Sequence, residues 1–289
     1  MLLLEGKTLS NKILDAAAGR AAAVSARTGR EPALAIVNCS ADSLSAFYVK
    51  RKLAACEKLG IRAGLINPGA EAGMAGFLKL LAELSADAAV DAVMIERPLP
   101  ADFEVPAIWD AIPPEKDVDA LSSVNMGRLF ISRTMADIEN AGFFVPCTAL
   151  AVIKLLDHYN IPVNGRKAAV AGRSAMVGKP LAHMLTALDA TVTLCHTGTP
   201  DISSIFKNSD IIISAAGMAR WLKPEMLPPG ATIIDVGTNI DEAGKMCGDV
   251  DFESVKETAG ALSPVPGGVG PVTLACLLAA AVKAAEKRI

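Results

Sequence analysis

The sequence predicts an α/β protein with mainly parallel sheets, and three observations carry that prediction. Short apolar runs alternate with helix-length amphipathic stretches, which calls for crossover connections and therefore parallel strands. Hydrophobic residues make up 52% of the 289 and charged residues 20%, so a large core is available and a disordered chain is excluded. Aromatic residues supply only 4%, leaving Ala, Val, Ile and Leu to build strands buried on both faces. At about 150 residues per domain, the length allows two domains.

Taken in order, the first strand is Ala33 to Val37, entered from Pro32. A helical pattern then runs from Ser43 to Leu59 and is closed by Gly60, the expected punctuation at each end. Ala89 to Ile95 is the next strand, stopped by Pro98-Leu99-Pro100. Past Asn140 the runs become purer: Lys167 to Ala171, Thr191 to Cys195, Ile211 to Ala215 and Thr232 to Val236 suit a doubly wound sheet. A last helix covers Val272 to Lys287. The boundary falls near Val145 to Thr148 and the last helix returns to the first domain, giving residues 1–146 with 272–289 as one domain and 147–271 as the other, with a cleft between them.

With 28 Lys plus Arg against 31 Asp plus Glu, the net charge of −3 supplies no global field for nucleic acid or an anionic membrane. Mean hydropathy is +0.38, yet the longest apolar stretch, Val272 to Val282, falls short of the roughly 20 residues a spanning helix needs. The start, Met1-Leu2-Leu3-Leu4-Glu5, lacks the basic flank of a signal peptide, so a cytoplasmic protein is expected. Six cysteines without CxxC spacing and three histidines point to neither a disulfide framework nor a metal site.

The strongest local signal is Lys167-Ala-Ala-Val-Ala-Gly172-Arg173-Ser174-Ala-Met-Val-Gly178-Lys179-Pro180, a strand, a glycine turn and a helix start. Gly172 permits the tight turn, the helix start offers N–H groups to a phosphate, and Gly178 allows helix and strand to approach. The spacing is not GxGxxG. Arg173 and Ser174 stand where a ribose 2′-phosphate would lie, which favours NADP over NAD. The following strand ends in His196-Thr197-Gly198-Thr199 with no acidic 2′-OH reader, in keeping with that choice; His196 itself reads as a hydrogen-bonded loop residue.

Tyr48 and Lys52 lie four apart and share one helix face. Glu96-Arg97-Pro98-Leu99-Pro100 and Lys116-Asp117-Val118-Asp119 bring charge to strand ends, where α/β sheets hold ligands, and one of the two aspartates could pair with a donor edge of a heterocycle. Pro264 through Pro271 is a stiff loop whose Gly267 and Gly268 allow close backbone approach, to a ligand or within an interdomain hinge.

Together these segments, with Pro146-Cys147-Thr148, Val177-Gly178-Lys179-Pro180, Asp235-Val236-Gly237, Asn239 and Gly248-Asp249-Val250, resemble the bifunctional methylenetetrahydrofolate dehydrogenase/methenyltetrahydrofolate cyclohydrolase family, FolD. The resemblance covers nearly the whole chain. It implies a Rossmann-like NADP-binding domain, an α/β catalytic domain that binds tetrahydrofolate one-carbon derivatives, and a homodimer. It also implies Lys52 as general acid/base, Tyr48 beside the aminobenzoyl group, Asp119 on the pterin, and Gly172, Arg173, Ser174, Thr197 and Thr238 bordering NADP.

The chain departs from the family pattern mostly in its folate half. Glu96 and Arg97 replace Gln and Leu, Ala149 and Ala151 replace Pro and Gly, Ala120 replaces Gly, and Ser40-Ala41 replace Gly-Asp. Adjacent residues on an extended segment point to opposite faces, so Glu96 is expected to face the pocket without Arg97. A carboxylate near Lys52 favours its ammonium form and so weakens it as a base. The same carboxylate would stabilise the cation formed by hydride loss and oppose its discharge by water. The expectation is a dehydrogenase with weakened or lost cyclohydrolase activity. The alternatives are a fully bifunctional enzyme with Glu96 as base, a dehydrogenase dedicated to catabolic one-carbon flux, and a non-catalytic folate- and NADP-binding sensor.

Overall fold

Strands and helices alternate along the chain, and the computed structural model describes residues 1–39, 43–69 and 72–289. The first elements are β1 (Leu2–Leu3), α1 (Lys7–Thr28), β2 (Ala33–Val37), α2 (Ser43–Lys58), β3 (Arg62–Ile66), α3 (Gly73–Ala86), β4 (Ala92–Ile95), α4 (Val105–Asp110), α5 (Ser123–Ile131) and α6 (Met135–Asn140). There follow α7 (Cys147–His158), β5 (Lys167–Ala171), α8 (Gly178–Thr186), β6 (Thr191–Cys195), α9 (Ile202–Lys207), β7 (Ile211–Ser214) and β8 (Thr232–Asp235). The last are β9 (Asn239–Ile240), β10 (Met246–Cys247), α10 (Phe252–Val255), β11 (Ala261–Leu262) and α11 (Val269–Glu286). The departure at Ser40-Ala41 lies outside the described residues.

Two compact units divide the chain. The smaller comprises Lys12–Arg128, Phe143–Val145 and Leu277–Ile289. Its parallel sheet has the order β3-β2-β4, with Ala35 opposite Gly64 on one side and Val93 on the other. Ala35, Val37, Val93 and Ile95 form one face and pack against Phe77 and Leu81 of α3 and Ile108 of α4. Each of those three fully buried side chains contributes about 2 kcal/mol of hydrophobic burial. α1 owes its length to alanine, buries Ala17, Ala21 and Val24 along one stripe, and ends at Gly29 with φ +71°. Asp91, at the entry to β4, accepts from Arg30 Nη1 and Nη2 at 2.6 and 2.7 Å and from the Ala33 amide at 2.9 Å.

The larger unit comprises Met1–Asn11, Leu129–Gly142 and Pro146–Cys276. Its parallel sheet has the order β1-β11-β8-β7-β5-β6. After β5 the chain moves outward to β6 and then returns to the other side of β5 as β7, which makes a topological switch point between β5 and β7. Ile212 and Ile233 of the sheet pack with Phe206, Leu222 and Val255 in one core.

The units differ from the expected domain limits at both termini and at Leu129–Gly142, which belongs to the larger unit. Leu2 and Leu3 pair with Ala261 and Leu262 of β11, and this backbone ladder draws the first residues into the larger unit. α11 is divided after Cys276. This helix is also longer than the uninterrupted apolar run read from the sequence: its 18 residues are long and apolar enough to cross a bilayer. Over half of it is buried within the protein, as in a core helix.

Candidate active site

In the smaller unit the chemistry gathers at the carboxyl end of β4. The Glu96 amide donates to the Val37 carbonyl at 2.8 Å, extending the ladder one residue beyond the strand. Because side chains alternate along a strand and Val93 and Ile95 face α3, Glu96 is turned to the opposite face. There its Oε2 lies 2.5 Å from Lys52 Nζ on α2, and both side chains are nearly buried, at 9% and 14% exposure. Arg97 goes the other way, is exposed, and sets its guanidinium 6.0 Å from the Trp109 ring centroid. The Arg97–Pro98 bond is cis. Glu96 therefore meets Lys52 with Arg97 directed elsewhere, as the alternation rule predicts. Tyr48 lies one turn before Lys52 on α2 and is half-buried.

Within Lys116-Asp117-Val118-Asp119, tertiary contacts separate scaffold from candidate ligand groups. Lys116 Nζ is buried and donates to the carbonyls of Leu84, Ser85 and Asp87 at 3.1, 2.8 and 2.7 Å, closing the carboxyl end of α3. Burial moves its ammonium below the usual lysine range. Asp117 bridges to Val93 beside β4 and accepts from the Leu121 and Ser122 amides at 3.0 and 2.9 Å and from Asn125 Nδ2 at 3.0 Å. Of the two aspartates the sequence left open, Asp117 is built into the turn, whereas Asp119 is half-buried. Ala120 holds φ +56°, a left-handed conformation that accounts physically for glycine as the usual family residue there. Ala149 and Ala151 are fully buried in α7.

In the larger unit the predicted cofactor residues stand at the carboxyl ends of β5, β6 and β8. Gly172 has φ +128°, and a Cβ there would lie 2.3 Å from the Ala215 carbonyl oxygen. A Cβ on Gly178 would lie 1.7 Å from the Gly172 oxygen, so the helix start meets the turn only because residue 178 is glycine. Arg173 and Ser174 are exposed on that turn, with Ser174 Oγ accepting from the Val177 amide at 3.1 Å. Thr197 and Thr238 are exposed just past β6 and β8. These glycine cradles and exposed polar groups fit a dinucleotide. His196 is the loop residue expected, its Nδ1 accepting from the Gly198 amide at 3.0 Å. In the proline-glycine loop, the Gly267 carbonyl accepts from the Gly6 amide and the Pro264 carbonyl from the Gly268 amide, each at 2.8 Å.

A carboxylate pair lies behind this surface, in motifs whose role the sequence did not disclose. Asp249, fully buried, accepts from Ser214 Oγ at 2.9 Å, from the amides of Ala216, Gly217 and Met218 at 2.7, 3.2 and 3.0 Å, and from Asn239 Nδ2 at 3.0 Å. Asp235 accepts from the amides of Gly237, Asp249 and Val250 at 3.0, 3.0 and 2.9 Å. Burial, reinforced by the Asp249 charge and opposed by those amides, raises the Asp235 carboxyl to about 7. A Cβ on Gly237 would meet Asp249 Oδ1 at 2.0 Å, and one on Gly248 would meet Asp235 Oδ2 at 1.9 Å. The available signal was the mirrored pairing of Asp-x-Gly with Gly-Asp.

Residues 4–119 match the model of the tetrahydrofolate dehydrogenase/cyclohydrolase catalytic domain, and residues 146–289 that of its NAD(P)-binding domain. The chain is 46% identical over 288 residues to a bifunctional protein FolD of Elusimicrobium minutum, with all of both chains covered. It is similar to the crystal structure of the bifunctional FolD dehydrogenase/cyclohydrolase of Campylobacter jejuni, at 38% identity, TM-score 0.92 and full coverage of both chains. It is likewise similar to the Trypanosoma brucei FolD structure complexed with NADP cofactor and inhibitor, at 33% identity and TM-score 0.92, covering 100% of this chain and 98% of that one. By profile, sequence and fold alike, this chain belongs to the tetrahydrofolate dehydrogenase/cyclohydrolase family.

Proposed function

We propose that this protein oxidises 5,10-methylenetetrahydrofolate to 5,10-methenyltetrahydrofolate with NADP, and that its second activity, hydrolysis to the 10-formyl form, is weakened by Glu96. The observation that carries the second part is the 2.5 Å contact between Lys52 Nζ and Glu96 Oε2. NADP, when bound, supplies the hydride acceptor. Lys52 is assigned as the general acid/base, Tyr48 as the platform for the aminobenzoyl group and Asp119 as the pterin anchor. Gly172, Arg173, Ser174, Gly178, Thr197 and Thr238 are assigned to NADP, and Pro264, Gly267 and Gly268 to the substrate loop. Folate binding is assigned to residues 1–146 with 272–289 and NADP binding to 147–271, although the first strand, Leu129–Gly142 and the start of the last helix lie with the larger unit.

The two activities make different demands on Lys52. Hydride loss leaves a cation on the one-carbon bridge and needs no base to accept a proton from water. Hydrolysis needs water to lose a proton as it attacks, and an ammonium already donating to Glu96 cannot accept it. Joined to Lys52, Glu96 forms a pair with no net charge, so its direct field on the cationic bridge is smaller than that of a lone carboxylate. In a coupled assay, the methenyl product should accumulate while NADPH forms, and Glu96→Gln should raise hydrolysis about tenfold or more. Methenyl product that never accumulates would overturn the weakened step. If Glu96 were itself the base for water, Glu96→Gln would instead abolish hydrolysis.

Assembly as a homodimer is carried over from the family resemblance and residence in the cytoplasm from the sequence reading; light scattering of the purified protein tests the first. A catabolic one-carbon role would suit an enzyme that releases methenyl product, and neighbouring genes for methyl-group removal would support it.

A further inference from the structure

We propose that Asp249 is a positioning residue that builds the half of the cofactor site beyond the switch point. The switch point lies between β5 and β7, and Ala215 begins the segment that leaves β7 there, its carbonyl packed against Gly172. Three consecutive amides of this segment, at Ala216, Gly217 and Met218, converge on one carboxylate, with Ser214 Oγ at its base and Asn239 Nδ2 closing the other side. Three converging amides would otherwise make an anion-binding nest. Here the chain's own carboxylate fills it, so this wall is fixed before any ligand arrives and is closed to a cofactor phosphate. Asp249 also ties together segments that follow two strands, β7 through Ala216 to Met218 and β8 through Asn239. Gly237 is required beside it because a Cβ would displace the carboxylate.

In a doubly wound site the adenosine ribose lies toward the first glycine turn and the following strand, here Gly172 to Ser174 and Thr197, and the other mononucleotide half lies across the switch point. Asp249 therefore acts on the nicotinamide half. This inference rests on the assignment of NADP to this unit.

The test is a pair of binding titrations on the intact protein, with NADPH for the whole cofactor and 2′,5′-ADP for its adenosine half, alongside thermal unfolding. Asp249→Asn, which sets an amide against backbone donors, should weaken NADPH about tenfold while 2′,5′-ADP stays within about twofold. Ser214→Ala removes one of the donors to Asp249, together with the acceptor of the Trp221 indole N–H, and should give a smaller split in the same direction, so it decides the matter if Asp249→Asn does not fold. Equal losses for both probes, or no loss for either, would overturn the proposal. Failure of the unsubstituted protein to bind either probe would instead remove the cofactor assignment beneath it.

Discussion

At the carboxyl ends of β4 and β8 buried carboxylates have their charge compensated in opposite ways. After β4, Glu96 is matched by the ammonium of Lys52. After β8, Asp235 and the Asp249 it supports are matched by backbone amides, a hydroxyl and a side-chain amide. Compensation by a side-chain cation leaves two charged groups that can exchange partners with a substrate. Compensation by main-chain donors spends the carboxylate on holding loops. The first arrangement suits chemistry and the second suits the shape of a binding surface.

The largest effect should come from breaking the ion pair from one side. Lys52→Met leaves Glu96 nearly buried without its cation, which should lower the unfolding free energy by about 3–5 kcal/mol in urea titrations and reduce hydrolysis by about 10²-fold or more. Lys52→Met with Glu96→Gln should recover most of the stability and none of the hydrolysis. Equal stability of the single and double variants would mean the pair is not effectively buried.

Next is the pH response of the amide-bound carboxylate. The folded state raises Asp235 to about 7 from an ordinary 3.8, so it retains a proton that the unfolded chain has released. This contribution is full below about pH 4, is lost as pH rises through about 7, and amounts to roughly 4 kcal/mol. Asp235→Asn should flatten that slope in thermal or urea unfolding.

A smaller effect tests the converse arrangement at Lys116, a buried ammonium held by carbonyls. Lys116→Met should destabilise by about 1–3 kcal/mol, since three helix-end carbonyls lose a donor, without the rescue by a second substitution expected at Lys52. Smallest is Ala120→Gly, which relieves a left-handed backbone at φ +56° and should stabilise by about 0.5–1 kcal/mol.

Much of the fold was legible because β2, β4, β5, β7 and β8 are largely apolar on both faces and β6 alternates exposed Thr with Val and Leu. β2, β5 and β6 begin and end where the pattern predicted, and β7 and β8 close one residue early. β3 was not legible: Arg62-Ala-Gly-Leu-Ile is a largely exposed edge strand, so nothing in its composition marks it as core. β1 and β11 are two residues each and exist through pairing with strands far away in sequence. At the candidate site, the four-residue spacing of Tyr48 and Lys52 and the alternation at Glu96 and Arg97 could be read directly, since both follow from local periodicity.

By itself the sequence determined the α/β class, the glycine turn at Gly172 and Gly178, the family, and the side of the strand on which Glu96 would emerge, because each depends on residues close together in the chain. Tertiary structure alone decided that Glu96 reaches Lys52, that Lys116 serves the scaffold, and that Asp249 gathers donors from Ser214 to Asn239. These are partnerships across long separations, and a buried charge takes its role from whichever partner the fold brings within hydrogen-bonding distance.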